Sequence, residues 1–310
     1  MKIGLALGAG GARALAHIGV LRFLEENNIK ISCVSGTSMG AVIGALYALN
    51  PKASYVERAI KDQFDMYKDY IISLKAYETH SSVEDKKMFL EKSFSFIKDI
   101  YLWNLKIVKP YLVKPRPFFK IFKNLLKSYR FKDCKIPFLC TTVDIIKGQA
   151  LAIRGGSLFK GVVASCALPG VFPPLHTKYG LLVDGGVLAP LPASYIKSYA
   201  DFIIGLSVEG NLGPARNIKN SIDALFTVDK VRYKKIVDDN KKDADFIIAP
   251  AVSHYSWNDF DSIDAIIESG YKEAKRQQQS IMRMIRKARW TSFFGIKRKP
   301  RLSPLKFIPA

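Results

Sequence analysis

The sequence predicts an α/β domain of three layers built on a mostly parallel central sheet. Two observations carry this. Short apolar runs of strand length alternate along the 310 residues with longer segments whose apolar residues recur at helical spacing. Three of those runs also end in glycine-bearing turns, Gly8–Gly11, Gly36–Gly40 and Asp184–Gly186, which is where strand ends of open α/β sheets build their sites.

The elements follow in order. KIGLAL reads as a buried strand bounded by GAGGA, and from Arg13 to about Asn27 the residues Leu15, Ile18, Val20, Leu21 and Leu24 recur at helical spacing. ISCVS is a second strand, and Met39 to Leu49 a second helix that Asn50-Pro51 stops. Residues 53–66 and 83–99 read as helices, and 101–130 is basic, aromatic and broken by Pro110, Pro115 and Pro117. FLCTTVDII and ALAIR form a hairpin through Lys147-Gly148. A helix from Leu158 to Ala167, the strands GLLVDGG, DFIIGLSV and DFIIAPAV, and helices at about 218–240 and 261–289 complete the chain. This predicts a main domain over 1–210 with a basic aromatic insertion at about 68–132. An α/β extension over 211–290 packs on the same domain, and 291–310 is a basic tail.

Composition bounds the class. Apolar residues make up 48% of the chain, enough for a sizeable core, and no apolar run approaches the roughly 18 residues needed to span a bilayer. The first 21 residues lack the unbroken apolar core and cleavage site of a signal peptide, so mature structure is expected from residue 1. The four cysteines (Cys33, Cys134, Cys140, Cys166) show no CxxC spacing and read as reduced thiols of a cytosolic protein. No metal-ligand spacing appears, and neither a metal nor a cofactor is expected.

Net charge is +21 and unevenly placed. Residues 86–135 hold 14 Lys/Arg against 3 Asp/Glu, and residues 271–310 hold 12 against 1. The remainder is close to neutral. Both basic segments also carry aromatic and aliphatic residues, so they are expected to attract a polyanion, either an anionic membrane face or nucleic acid. No recognised RNA module accompanies them.

The three turns suggest chemistry. GAGGAR between strand and helix resembles a dinucleotide turn, but Arg13 stands where the third glycine belongs, and no acid for a ribose ends the second strand. Consecutive glycines at a helix N-terminus instead aim amides at an anion, and Gly10 and Gly11 are candidates for holding an oxyanion. Ser38, between Gly36 and Gly40 where strand turns to helix, is forced outward at the positive end of that helix, as a nucleophile would be. None of the four histidines suits the base: His17 lies inside the first helix, His80 in a polar loop, and His176 and His254 away from any glycine turn. Asp184 ends an apolar strand before Gly185 and Gly186, where partial desolvation would let a carboxylate take the proton from Ser38.

LALGAGGARALAHIGVL, GTSMGAVIGALYA, SCALPGVFPPL and GLLVDGGVLAPLP together resemble the successive blocks of the patatin-like phospholipase family in its bacterial branch, over about residues 3–208. The resemblance implies a three-layer α/β fold and hydrolysis of lipid acyl esters by a Ser–Asp dyad. Ser38 takes the place of the nucleophile, Asp184 that of the base, and the Gly8–Arg13 turn that of the oxyanion loop. The chain departs from the family at Ala9, within the glycine run, and at Ala14, after the basic position. These methyls are expected to narrow the loop's conformations. Arg13 either braces the loop or meets an anionic headgroup.

The expected partners are a lipid or phospholipid substrate and an anionic membrane surface, met through residues 86–135 and 271–301. The expected location is cytoplasmic, peripheral to the inner membrane face, and the sequence leaves the oligomeric state open. As a helix, residues 281–289 put Ile281, Met284, Ile285 and Ala288 on one side and Arg283, Arg286, Lys287 and Arg289 around the other. Such a helix lies in a headgroup layer or docks its stripe on the body. The insertion is a lid, a membrane-facing cap or a partly core-packed helix. Rival readings are a membrane-associated regulator with little turnover, and an acyltransferase or thioesterase using the same dyad.

Overall fold

The computed structural model describes residues 1–73, 115–210, 218, 221–293 and 306–309. The helix expected over 83–99 and most of the aromatic insertion lie outside the described residues. Within them the sheet is nine-stranded. β1 (Ile3–Leu7) is central, flanked in parallel by β2 (Cys33–Gly36) and β7 (Phe202–Leu206). β8 (Phe246–Ile248) extends β7 in parallel, and β3 (Phe138–Asp144) runs parallel to β2. β3 then pairs antiparallel with both β4 (Gln149–Gly155) and β6 (Gly180–Asp184), and β5 (Leu175–Thr177) borders β6. β9 (Lys306–Pro309), which falls in the segment read from sequence as a tail, adds to β4 in parallel.

Alternation along the strands separates two apolar layers. On β1, Ile3, Leu5 and Leu7 join the larger core and Ala6 the smaller; on β7, Phe202, Ile204 and Leu206 point one way and Ile203 the other. The larger core is covered by α1 (Ala16–Glu26), α2 (Met39–Leu49), α3 (Ala53–Met66), α6 (Leu158–Ser165), α8 (Ile263–Arg276) and α9 (Gln278–Phe293). The opposite layer is thinner, with a 3-10 turn over Ala193–Ile196 against it and the C-terminal half of α7 (Ser221–Lys241) beside it. Two short helices, α4 (Lys68–Ser73) and α5 (Pro115–Leu126), flank the undescribed segment.

The single helix expected over 261–289 is two, α8 and α9, meeting at Gln277. α9 also settles its own alternative. Ile281 and Ile285 are buried in the larger core, with Met284 and Ala288 packed against it, while Arg283, Arg286, Lys287 and Arg289 stay exposed. The apolar stripe therefore docks on the body, which corrects the headgroup-layer reading of residues 281–289. Trp290 is exposed at its end. In the insertion, α5 likewise turns Phe118, Phe122 and Leu126 inward, because its aromatic residues recur at helical spacing and find the core. Among the described residues no helix is long and apolar enough to cross a membrane.

Candidate active site

Sheet register builds the site. Leu7 of β1 pairs with Gly36 of β2, so the turns that follow both strands leave the sheet side by side. Asp184 arrives differently. The sequence places it at the same edge of parallel strands, but β6 runs antiparallel to β3, with Thr142 opposite Asp184 and Cys140 opposite Gly36. A returning strand thus delivers the carboxylate beside the β2 turn, across 146 positions of sequence.

Ser38 stands at the apex of the β2–α2 turn with φ 56° and ψ −128°, one of two non-glycine residues with positive φ among the described residues. That conformation costs on the order of 1–3 kcal/mol and must be imposed by its surroundings. The Ser38 amide donates to Ser165 Oγ at 3.0 Å, and its carbonyl accepts from Ala41 N at 2.8 Å. The bend itself needs glycine on either side: a Cβ on Gly36 would stand 2.5 Å from the Gly40 carbonyl oxygen, and one on Gly40 2.4 Å from that of Leu7.

Asp184 is 3% exposed. Its Oδ1 accepts from the Gly186 amide at 2.7 Å, and the Ser38 side chain lies close enough to the carboxylate to stabilise its charged form. Burial pushes the carboxyl up from its ordinary 3.8 to about 6, and the Gly186 amide and nearby Ser38 favour the charged form and limit the rise. A web of hydroxyls fixes the turn that follows. Thr37 Oγ1 donates to the Ala189 carbonyl at 2.8 Å and lies 2.6 Å from Thr141 Oγ1, while Thr142 Oγ1 donates to Val183 O at 2.6 Å.

The glycine loop after β1 is anchored at both ends. Gly8 N donates to Leu206 O at 3.0 Å and Ala9 N to Pro190 O at 2.8 Å, so the Gly8 amide is spent within the sheet and offers nothing to an oxyanion. The sequence assigns Gly8 to the oxyanion loop, but with its amide bonded to Leu206 its contribution is position. Gly11 has φ +56°, and a Cβ there would stand 2.1 Å from the Trp257 carbonyl oxygen, which accepts from Ala12 N at 2.6 Å. Gly10 and Gly11 both line the cavity that holds Ser38 and Asp184. Ala9 and Ala14 lie outside the left-handed region, so their methyls impose no backbone strain.

Arg13 braces the loop. Its Nε donates to the Gly10 carbonyl at 3.4 Å, and the guanidinium packs so closely on Gly210 that a Cβ there would stand 2.0 Å away. Burial pushes its pKa down, opposed by neighbouring Tyr233 and Glu209. His17 is fully buried, with Nε2 2.9 Å from the Gly8 carbonyl oxygen and Nδ1 without a hydrogen-bond partner. Burial lowers it to about 4, and with Nε2 engaged by the Gly8 carbonyl and the ring off the cavity lining it is not placed to act as the base. His176 and His254 are exposed and off the cavity lining, and His80 lies outside the described residues. All four cysteines are thiols, three of them buried; Cys166 lines the cavity, its thiol pushed well up by burial and by Asp184.

The cavity measures about 800 Å³. Phe118 and Phe122 of α5, Phe172, Ile60 and Val42 make much of its wall, and Phe118 stacks on Phe172 at 4.3 Å. Sequence reasoning missed His17 and Arg13 as a pair holding two loop carbonyls, those of Gly8 and Gly10. It also missed Tyr233 and Trp257, which reach the cavity from beyond the motif blocks. Trp257 had a signal: it follows the apolar strand DFIIAPAV, whose end lies at the same sheet edge.

A mostly parallel α/β sheet with a serine at a strained strand-to-helix turn and a buried carboxyl on the same cavity wall defines the class. A family model described as "Patatin-like phospholipase" matches residues 5–196, and the chain belongs to that family. An uncharacterized NTE family protein of Mycobacterium bovis, Mb1092c, is 30% identical over 225 residues, covering 72% of this chain and 54% of that protein. "Lysophospholipase NTE1" of Pyricularia oryzae is 27% identical over 300 residues, covering 87% of this chain and 18% of that protein. The chain thus spans about half the mycobacterial relative and less of the fungal one. Among solved structures, VipD from Legionella pneumophila aligns with a TM-score of 0.46 at 13% identity, over 90% of this chain and 66% of that one.

Proposed function

We propose that this chain is a serine lipid acyl hydrolase, of phospholipase A or lysophospholipase type, working with Ser38 as nucleophile and Asp184 as general base. The observation that carries the reading is Ser38, at its strained turn, beside a buried carboxyl in the wall of an apolar cavity. The family membership and the lysophospholipase name of the fungal relative support the substrate class.

The chemistry runs in two halves. Ser38 Oγ attacks the ester carbonyl carbon while its proton passes to the Asp184 carboxylate, and the carbonyl π electrons collect on oxygen. The Gly10 and Gly11 amides face that oxyanion, each donor worth about 3–4 kcal/mol in the transition state. Collapse expels the alcohol, which takes the proton from Asp184 and leaves an acyl ester on Ser38. Water then attacks the acyl carbon, gives its proton to Asp184, and the second collapse returns that proton to Ser38 Oγ and frees the fatty acid. Arg13 and His17 keep the loop in register without touching the reacting atoms.

The two basic segments, 86–135 and 271–301, support peripheral binding to an anionic membrane, on the cytoplasmic face. The test is hydrolysis of a panel of phospholipids and lysophospholipids by wild type, Ser38→Ala and Asp184→Asn. The reading expects losses of about a thousandfold or more in both variants; undiminished hydrolysis by Ser38→Ala would overturn it.

A further inference from the structure

We infer that the outer face of α7, with the tip of the β3–β4 hairpin, forms the surface that seats this cavity on an anionic bilayer; the inference rests on the lipid hydrolase reading above. On α7, Leu225, Val228 and Val231 recur at three-residue spacing on one side of the helix and are 72%, 57% and 65% exposed. The adjoining side of the same helix lines the cavity through Asp229, Arg232, Tyr233 and Ile236, with Leu225 one turn back along that row and Val228 and Val231 turned away from it. α7 is therefore a wall of the cavity whose outer stripe is apolar and open to water.

The other rim repeats the pattern. Ile145, Val187 and Leu188 line the cavity and are each more than a third exposed, and Ile146 at the hairpin tip is 74% exposed. Seven of the thirteen exposed large apolar residues among those described lie on these two rims. Single exposed apolar residues need no explanation, whereas a group of them around a cavity mouth marks an interaction surface.

Two observations choose the bilayer as occupant. The cavity behind the rims is lined by apolar side chains such as Phe118, Phe122 and Phe172, so what enters it is an acyl chain. A mouth held away from the membrane would force that chain through water, whereas apolar rims in the acyl boundary make the transfer continuous. The second is charge. α7 is nearly balanced and supplies mainly apolar grip, but the chain carries +21, and Lys178 and Lys234 are exposed near the two rims. That charge draws the protein to an anionic leaflet, and the rims fix which face meets it. The stripe of α9 is unavailable for this purpose, being docked on the body.

The test uses the full chain carrying Leu225→Ser, Val228→Ser and Val231→Ser together, and separately Ile146→Ser; none of the four residues lines the cavity. Binding is read by co-sedimentation with vesicles of phosphatidylcholine and phosphatidylglycerol, and turnover on a monomeric short-chain p-nitrophenyl ester. The triple variant is expected to lose vesicle affinity by about tenfold or more and Ile146→Ser by severalfold, with short-chain turnover within about twofold of wild type and melting temperature preserved. Unchanged vesicle affinity in both variants overturns the inference. So does a change from dimer to monomer in the triple variant, which would make a second copy the occupant, or a large drop in its melting temperature, which would make the stripe a packing surface for the rest of the chain. If wild type turns over no ester at all, the hydrolase reading falls, while vesicle binding by the variants still reports on the surface.

Discussion

His17 Nε2 donates a hydrogen bond to the Gly8 carbonyl across 2.9 Å, tying the first turn of α1 to the loop that carries Gly10 and Gly11. Because the carbonyl can only accept, the ring proton sits on Nε2. With Arg13 holding the Gly10 carbonyl, two of the loop's carbonyls are fixed by side chains.

Replacing His17 by Leu is expected to lower kcat by about 10- to 100-fold with little change in KM, since the loop misplaces amides used in the transition state. His17→Gln, whose amide nitrogen can also donate, is expected to recover much of the loss. Because burial keeps the ring neutral with its pKa near 4, neither variant should move the pH profile between 5 and 8. Steady-state kinetics across pH checks all three statements.

The pH profile itself belongs to Asp184. Its carboxyl must be ionised to accept the Ser38 proton, and burial holds it at about 6. kcat/KM is expected to fall about tenfold per pH unit below 6 and to level off above 7. An ascending limb near 4, the range of an ordinary carboxylate, would mean that the residue is solvated in the working enzyme.

The same elevation makes Asp184 a cost to the fold. Its folded pKa lies above the unfolded 3.8, so the native state binds more protons between pH 3.8 and 6, and stability falls as pH rises through that window. The shift corresponds to about 3 kcal/mol at and above pH 7. Asp184→Asn is therefore expected to melt higher than wild type at pH 8 and to show little difference at pH 4. Calorimetry at the two values checks the sign.

Ser165 and Gly11 should behave differently from each other. Ser165→Ala removes the acceptor of the Ser38 amide, with an expected stability loss of about 1 kcal/mol and a severalfold loss of kcat. Gly11→Ala adds a methyl where φ is +56° and the Trp257 carbonyl oxygen is 2.1 Å away. A loss of several kcal/mol and near-complete loss of turnover are expected. Denaturant melts with parallel ester assays separate the two.

The sheet was legible because β1, β2 and β7 are short apolar runs, the first two ended by glycine turns, and the hairpin because Lys147-Gly148 turns it with φ +63° at the glycine. Ser38 and Asp184 stood out as candidates because Gly36 and Gly40 bracket the first and Gly185 and Gly186 follow the second. β5 and β9 were not, since three- and four-residue strands leave too little alternation to read. Nor was the antiparallel return of β6, because strand direction is set by pairing across the sheet and leaves no local mark. The membrane reading of α9 failed for a related reason: Ile281, Met284 and Ile285 at helical spacing suit a bilayer and a protein core equally, and only the tertiary fold decides.

The most direct measurement is mass spectrometry of the protein after reaction with a fluorophosphonate, followed by peptide mapping, on wild type and Ser38→Ala. The account predicts one adduct per wild-type chain, on Ser38, formed at a rate that falls below pH 6, and none on the variant. An unlabelled wild type, or equal labelling of Ser38→Ala, would contradict it.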